Sequence, residues 1–243
     1  MIGITSITFR NKSVERVVEF AKRANVHCIE WGSDFHVLPS DTVAAENVAK
    51  LCESSGIKIC SYGTYYVLGK NMNFDDYLDS CVAMRCHRMR IWAGSKSSST
   101  ISKQERTSLV EECQKISDRA AEHSIELCFE YHRNTLTDTK ESAADLLSSV
   151  DRDNVFTYWQ PNPEIDEREK YEEIEMLRPY IKTIHFFNWK GKNTRFLMSE
   201  GKNRWKEYIK HINLDVPYLL EFTLDDDDEN AISDINTMKD LLM

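Results

Sequence analysis

Phe129-Glu130-Tyr131-His132, Ile184-His185-Phe186-Phe187-Asn188 and Leu220-Glu221-Phe222-Thr223 decide how this chain reads. Each opens as an apolar, β-rich run and ends in a lone acid or imidazole followed by a loop. A buried strand has little reason to end in Glu or His unless its tip faces a ligand or a metal, because an unpartnered polar group is costly to bury. Three such tips predict strands that converge on one polar site.

Short and nearly continuously apolar runs recur at 3–9, 27–31, 58–63, 88–93, 125–131, 155–160, 182–187 and 218–222. Runs of this kind suit strands buried on both faces. Helical patterns lie between them, at 14–24, 43–54, 74–86, 167–177, 202–211 and 229–242. Ser102-Lys103-Gln104-Glu105 reads as a capping box, and Leu109, Val110, Cys113, Ile116 and Ala120 then fall on one stripe. Asp138-Thr139-Lys140-Glu141 is expected to open a further helix in the same way, with Ala144, Leu147 and Val150 on its apolar face.

Eight strand–helix units in 243 residues leave about 30 residues per unit, the size of a βα repeat. Alternating strands and helices imply an α/β fold with a parallel sheet, and eight units fit a (β/α)₈ barrel occupying residues 1–243 as one domain. A doubly wound open sheet is the competing architecture. It usually carries a Gly-rich phosphate turn after its first strand, where this chain has Phe9-Arg10-Asn11-Lys12.

Composition narrows the class. With 31 basic and 40 acidic residues the formal net charge is −9, which counts against a nucleic-acid partner. No apolar run approaches the roughly 20 residues of a membrane helix. Met1-Ile2-Gly3-Ile4 begins directly as a strand, without the basic and apolar regions of a secretion signal. The seven cysteines, Cys28, Cys52, Cys60, Cys81, Cys86, Cys113 and Cys128, form no C-x-x-C pair. They read as reduced, buried thiols of a cytoplasmic protein. The run Asp225-Asp226-Asp227-Asp228-Glu229 lacks the glycine and spacing of a calcium loop and is expected to complement the start of the last helix.

Active sites of such barrels lie at the C-terminal strand ends. Those ends read Glu30-Trp31-Gly32, Tyr62-Gly63, Trp92-Ala93-Gly94, Glu130-Tyr131-His132, Trp159-Gln160, His185 with Asn188, and Glu221. Polar and aromatic groups together suit a small polyhydroxylated molecule. Glu130, His185 and Glu221, from the fifth, seventh and eighth strands, suit one divalent cation: Mn²⁺, Zn²⁺, Co²⁺ or Mg²⁺. Gln160, on the sixth, adds a neutral oxygen donor. His132 is expected to point into the same mouth and hydrogen-bond substrate. Asn188, Trp189 and Lys190 are candidate pocket residues, while Lys190 and Lys192 also read as a solvated loop. Trp31, Tyr62 and Trp92 are candidates to stack on a sugar face, or else to pack the rim. His36, in the loop after the second strand, is a candidate to close over the site.

Here the chain resembles the xylose isomerase-like TIM barrels: sugar-phosphate isomerases and epimerases, inosose dehydratases, hydroxypyruvate isomerases and the family 2 AP endonucleases. The resemblance spans essentially the whole chain. It is sharpest in Arg90-Ile91-Trp92-Ala93-Gly94, in Glu130-Tyr131-His132 with Thr135-Leu136-Thr137-Asp138-Thr139, in Tyr158-Trp159-Gln160-Pro161, in His185-Phe186-Phe187-Asn188-Trp189 and in Glu221. It implies a metal held by Glu130, Gln160, His185 and Glu221, acting as a Lewis acid on a small sugar, keto-sugar or polyol. Glu130 and Glu221 would be the acid and base that epimerise or isomerise it through an enediolate. Gln160 stands where the epimerases carry Asp, and Pro163 where a histidine is usual, so the site has one negative charge fewer. An inosose-type dehydratase, and a non-catalytic sugar-binding barrel with a degenerate metal site, are the rivals the resemblance leaves open. The endonucleases add histidines at the third and fourth strand tips, where this chain has Tyr62-Gly63 and Trp92-Ala93-Gly94. Homologous barrels are often dimers or tetramers, which implies a possible homo-oligomer.

Overall fold

The computed structural model describes residues 1–191 and 194–243. Its strands are β1 (Ile2–Thr5), β2 (Cys28–Gly32), β3 (Lys58–Val67), β4 (Arg88–Trp92), β5 (Glu126–Phe129), β6 (Val155–Trp159), β7 (Ile181–Phe186), the short β8 (Trp189–Lys190) and β9 (Thr194–Arg195), and β10 (Tyr218–Leu220). All but β8 and β9 close into one parallel barrel, with β10 between β7 and β1. The expected (β/α)₈ architecture is therefore present, as a TIM barrel. Lys192 lies outside the described residues.

Around the barrel run α1 (Val14–Arg23), α2 (Thr42–Ser54), α3 (Phe74–Ala83), α4 (Lys103–Ala121), α5 (Lys140–Val150), α6 (Glu167–Leu177), α7 (Lys202–Ile212) and α8 (Asp228–Leu242). No helix among the described residues is long and apolar enough to cross a membrane. The Ser102–Glu105 capping box forms in both halves. The second expected box does not. Thr139, not Asp138, caps α5 by accepting from Ser142 N–H. Asp138 instead accepts from the Ser98 backbone N–H at 3.0 Å, across to the preceding loop. The acidic run caps α8 as expected, through the Asp227 carboxylate and the N–H groups of Glu229 and Asn230.

Two departures from the strand expectations shape the site. β1 stops at Thr5 and turns into a 3₁₀ segment, Ser6–Phe9, where Thr5 and Thr8 hydroxyls both donate to the Leu220 carbonyl. The β2–β3 register shifts between Ile29 and Glu30, bringing Glu30 opposite Ser61. A bulge of this kind re-aims a side chain. Here the extra residue is Cys60 on β3, and the shift sets Ser61 beside the inward-facing Glu30.

Candidate active site and metal centre

The barrel floor holds an unusual concentration of buried charge. Arg90, from the middle of β4, is 1% exposed. Its guanidinium lies 3.4 Å from Glu30, 3.3 Å from Glu130 and 3.8 Å from Glu221. Among the described residues none of its three nitrogens makes a hydrogen bond. His185 is fully buried between two of the same carboxylates, with Nε2 3.4 Å from Glu30 and Nδ1 3.4 Å from Glu221.

These charges set one another's protonation. Burial alone would raise the Glu30 pKa, but the charges of Arg90 and His185 bring it down to about 2. For His185, burial favours the neutral ring, but Glu221 and Glu30 outweigh it and lift the pKa to about 10. Burial, reinforced by the Glu221 charge and opposed by Arg90, pushes Glu130 up. Glu221 moves down despite burial, because His185 and Arg90 face it.

Glu130, His185 and Glu221 each offer one ligand atom, and these atoms lie within 4.8 Å of one another. Gln160 donates its amide N–H to the Tyr131 carbonyl at 3.1 Å. That fixes its orientation and leaves Oε1 buried without a partner, as are Glu130 Oε2 and both ring nitrogens of His185. With the imidazole neutral, three carboxylates against one guanidinium leave a local charge of −2. A divalent cation complements both that charge and the unpartnered donors, so the residues present fit such an ion.

Above this floor lies a cavity of about 200 Å³ lined by Arg90, Glu130, His132, Gln160 and Glu221. Its walls are largely apolar and aromatic: Ile7, Tyr65, Trp92, Tyr131, Phe187, Trp189 and Phe222. Tyr65 stacks on Trp92 at 6.1 Å, and Trp92 meets His132 at 4.9 Å. On the other wall Arg195 lies 4.8 Å over Phe222 and 5.7 Å over Trp189, and donates to the Thr223 carbonyl. Phe222 takes φ +62°, a conformation that side chains bearing a Cβ rarely adopt. Strain of this kind persists only where the surroundings enforce it, and the Phe222 N–H is tied to Thr8 Oγ1 at 2.9 Å.

The structure therefore brings together Glu130, Gln160, Glu221, His132, Trp92 and Trp189, with His185 beneath them. Five other expected residues stand apart. Side chains alternate along a strand, so an inward Glu30 sends Trp31 to the outer face, against His36 at 5.6 Å. Tyr62 likewise alternates with inward Ser61, and its hydroxyl donates to the Val37 carbonyl. Asn188 pins a loop, donating to the Leu197 carbonyl and accepting from Arg204. Lys190 is exposed, with its ammonium 4.3 Å over Phe196. His36 bonds the Lys12 carbonyl away from the cavity.

Arg90 and Glu30 were given no role in the site, although Glu30 was read at a strand tip, and Tyr65 and Asp138 were not anticipated there. The first two carried a signal: a charge in the middle of a short apolar strand must find partners indoors.

The chain belongs to the xylose isomerase-like TIM barrel family, whose sequence profile matches residues 18–241. It is similar to the 3-dehydroshikimate dehydratase of Bacillus anthracis, with 26% identity over 203 residues, covering 76% of this chain and 71% of that protein. Among solved structures it superposes on the probable 3-DHS dehydratase AsbF of Bacillus anthracis, involved in petrobactin synthesis, with a TM-score of 0.84, 20% identity and 98% of both chains covered. It also superposes on the IOLI protein with a bound zinc atom, with a TM-score of 0.77, 16% identity, and 99% and 97% of the two chains covered.

Proposed function

We propose that this protein is a metal-assisted dehydratase. It removes a proton from the carbon beside a carbonyl in a small cyclic hydroxyketone and expels the β-hydroxyl as water. The class is that of 3-dehydroshikimate. Similarity to a dehydratase over three quarters of the chain supports the reading, but one geometric observation carries it. The ligand atoms of Glu130 and Glu221 lie together with that of His185 within 4.8 Å. As ligands of one ion on the floor they would share their charge with it, which leaves them weaker as a free acid and base. The acid–base work then falls to a group outside the cluster.

His132 is that group. Its Nδ1 lies 2.7 Å from the Arg133 carbonyl, which only accepts, so Nδ1 carries the ring proton. Nε2 is left with its lone pair. His132 lines the cavity, where that lone pair can take the α-proton and return it to the departing hydroxyl, so the substrate loses one water and nothing else. Arg90 presents unpaired N–H groups at the cavity floor, in position to stabilise the developing oxyanion. Glu130, His185, Glu221 and the Gln160 oxygen would hold a divalent cation, Mn²⁺, Zn²⁺, Co²⁺ or Mg²⁺, which would supply Lewis acidity when bound. The aromatic walls suit a compact ring that flattens as it loses water. The unpaired thiols suit a reducing, cytoplasmic setting.

A second reading is epimerisation of a ketose, with Glu221 as base and Glu130 as acid. Their opposed pKa shifts, down and up, favour that division. One experiment separates the two. Mn²⁺-loaded protein is incubated with 3-dehydroshikimate, or with a panel of ketoses, in D₂O, and products are read by mass spectrometry. A product lighter by one water is expected. Deuterium in recovered substrate without water loss would instead select the epimerase. Ligand binding indifferent to chelators, with neither change, would mark a non-catalytic barrel.

A further inference from the structure

We infer that Glu30 is a positioning residue that selects which nitrogen of His185 faces the cation site. The inference rests on the metal reading above and adds to it a residue from β2 that the ligand cluster does not contain. Glu30 is 1% exposed and is held from several directions. Its Oε2 accepts from Ser61 Oγ at 2.7 Å and from Tyr158 OH at 2.8 Å. Its Oε1 has no hydrogen-bond partner and faces Arg90 and His185 Nε2, each at 3.4 Å. The position is cradled by Gly63, where a Cβ would come within 2.7 Å of Oε1. Tyr158, which anchors Glu30, also meets the His185 ring edge-on at 5.1 Å.

A histidine that ligates a cation is neutral, with one N–H and one lone pair. Glu30 accepts from both Ser61 and Tyr158 through Oε2 and turns its partnerless Oε1 toward the Arg90 guanidinium, so it presents an acceptor to His185. Turning a bare Nε2 toward it would set lone pair against lone pair in a buried site. The N–H therefore belongs on Nε2, toward Glu30. The lone pair belongs on Nδ1, which faces Glu221 and the donor cluster. This carboxylate–imidazole arrangement fixes the ring and raises the basicity of its free nitrogen.

Glu30→Gln tests this sharply. Ser61 and Tyr158 both donate, so the Gln carbonyl takes the Oε2 place and its NH₂ takes the Oε1 place. It then offers a donor to Nε2 and opposes the native tautomer. The measurement is long-range ¹H–¹⁵N NMR on ¹⁵N-histidine-labelled, Zn²⁺-loaded protein, with zinc affinity from competition with a chromophoric chelator. The wild type is expected to show His185 bound through Nδ1 and protonated on Nε2. Glu30→Gln is expected to weaken zinc about tenfold or more. Zinc bound through Nε2 in the wild type overturns the inference, as does an unchanged affinity and tautomer in the variant. The wild-type spectrum decides alone if the variant fails to fold. A wild type that binds no zinc overturns the metal reading and this inference together, whereas zinc bound with Glu30 irrelevant overturns only the inference.

Discussion

Arg90 Nε and Glu130 Oε2 face each other at 3.3 Å inside the barrel, both buried and neither hydrogen-bonded. The pair sits in ion-pair range without the geometry that would satisfy it, and Glu30 and Glu221 lean on the same guanidinium. Arg90→Met would leave three buried carboxylates with the His185 imidazolium as their remaining internal cation among the described residues. Breaking buried pairs in this way costs about 3–5 kcal/mol, which urea denaturation of chelator-treated protein should show. The same variant should bind Mn²⁺ more tightly, since the carboxylates no longer share a guanidinium. Unaltered stability would mean that the carboxylates are protonated in the metal-free protein.

Gln160 is the weak member of the donor set, because it brings an oxygen without a charge. Affinity for hard cations follows the charge count of the ligands. Gln160→Asp should tighten Mn²⁺ binding by about tenfold or more in calorimetry. An unchanged affinity would place residue 160 outside the coordination sphere, despite its unpartnered Oε1.

The metal-free protein should carry a stability optimum set by the same cluster. Glu30 has its pKa lowered from 4.5 to about 2, so its contribution is present above pH 4.5 and is lost as pH falls toward 2. His185 has its pKa raised from 6.5 to about 10, so its contribution is full below pH 6.5 and is lost as pH rises toward 10. Thermal unfolding in chelator should therefore be best between those limits. Added Mn²⁺ should stabilise most on the alkaline side, where the imidazole gives up its proton at least cost. A flat profile in chelator would dissociate the cluster from stability.

Glu173 supplies a control away from the cation site. It is buried in α6 and accepts from Tyr131 OH at 2.7 Å, and burial pushes its pKa from 4.5 up to about 7. Its contribution is full below pH 4.5 and is lost as pH rises through 7, where the buried carboxyl must ionise. Glu173→Gln keeps an acceptor for Tyr131 and removes the ionisation. The variant should lose this part of the pH dependence and exceed the wild type in melting temperature on the alkaline side. Equal melting temperatures there would show that Glu173 reaches solvent.

Strand–helix cadence was legible in the sequence because buried parallel strands and amphipathic helices each impose a period on the chain. The Ser102–Glu105 box, the cap at Asp227 and the three polar strand tips followed from local rules alone. Those tips do meet: Glu130, His185 and Glu221 come together because adjacent parallel strands end at one rim.

Which way each remaining side chain points, and what it finds there, depends on contacts between distant segments. Plain alternation along β2 turns Glu30 inward and Trp31 outward, while a register shift that skips Cys60 on β3 sets Ser61 beside Glu30, and no local pattern encodes a shift that depends on the neighbouring strand. Tyr62 left the site through the same alternation, and Asn188 was claimed by a loop carbonyl nine residues on. Arg90 is the clearest case. Its sequence context marks it as a buried charge in need of partners, but those partners come from β2 and the ends of β5 and β10, which only barrel closure brings to it.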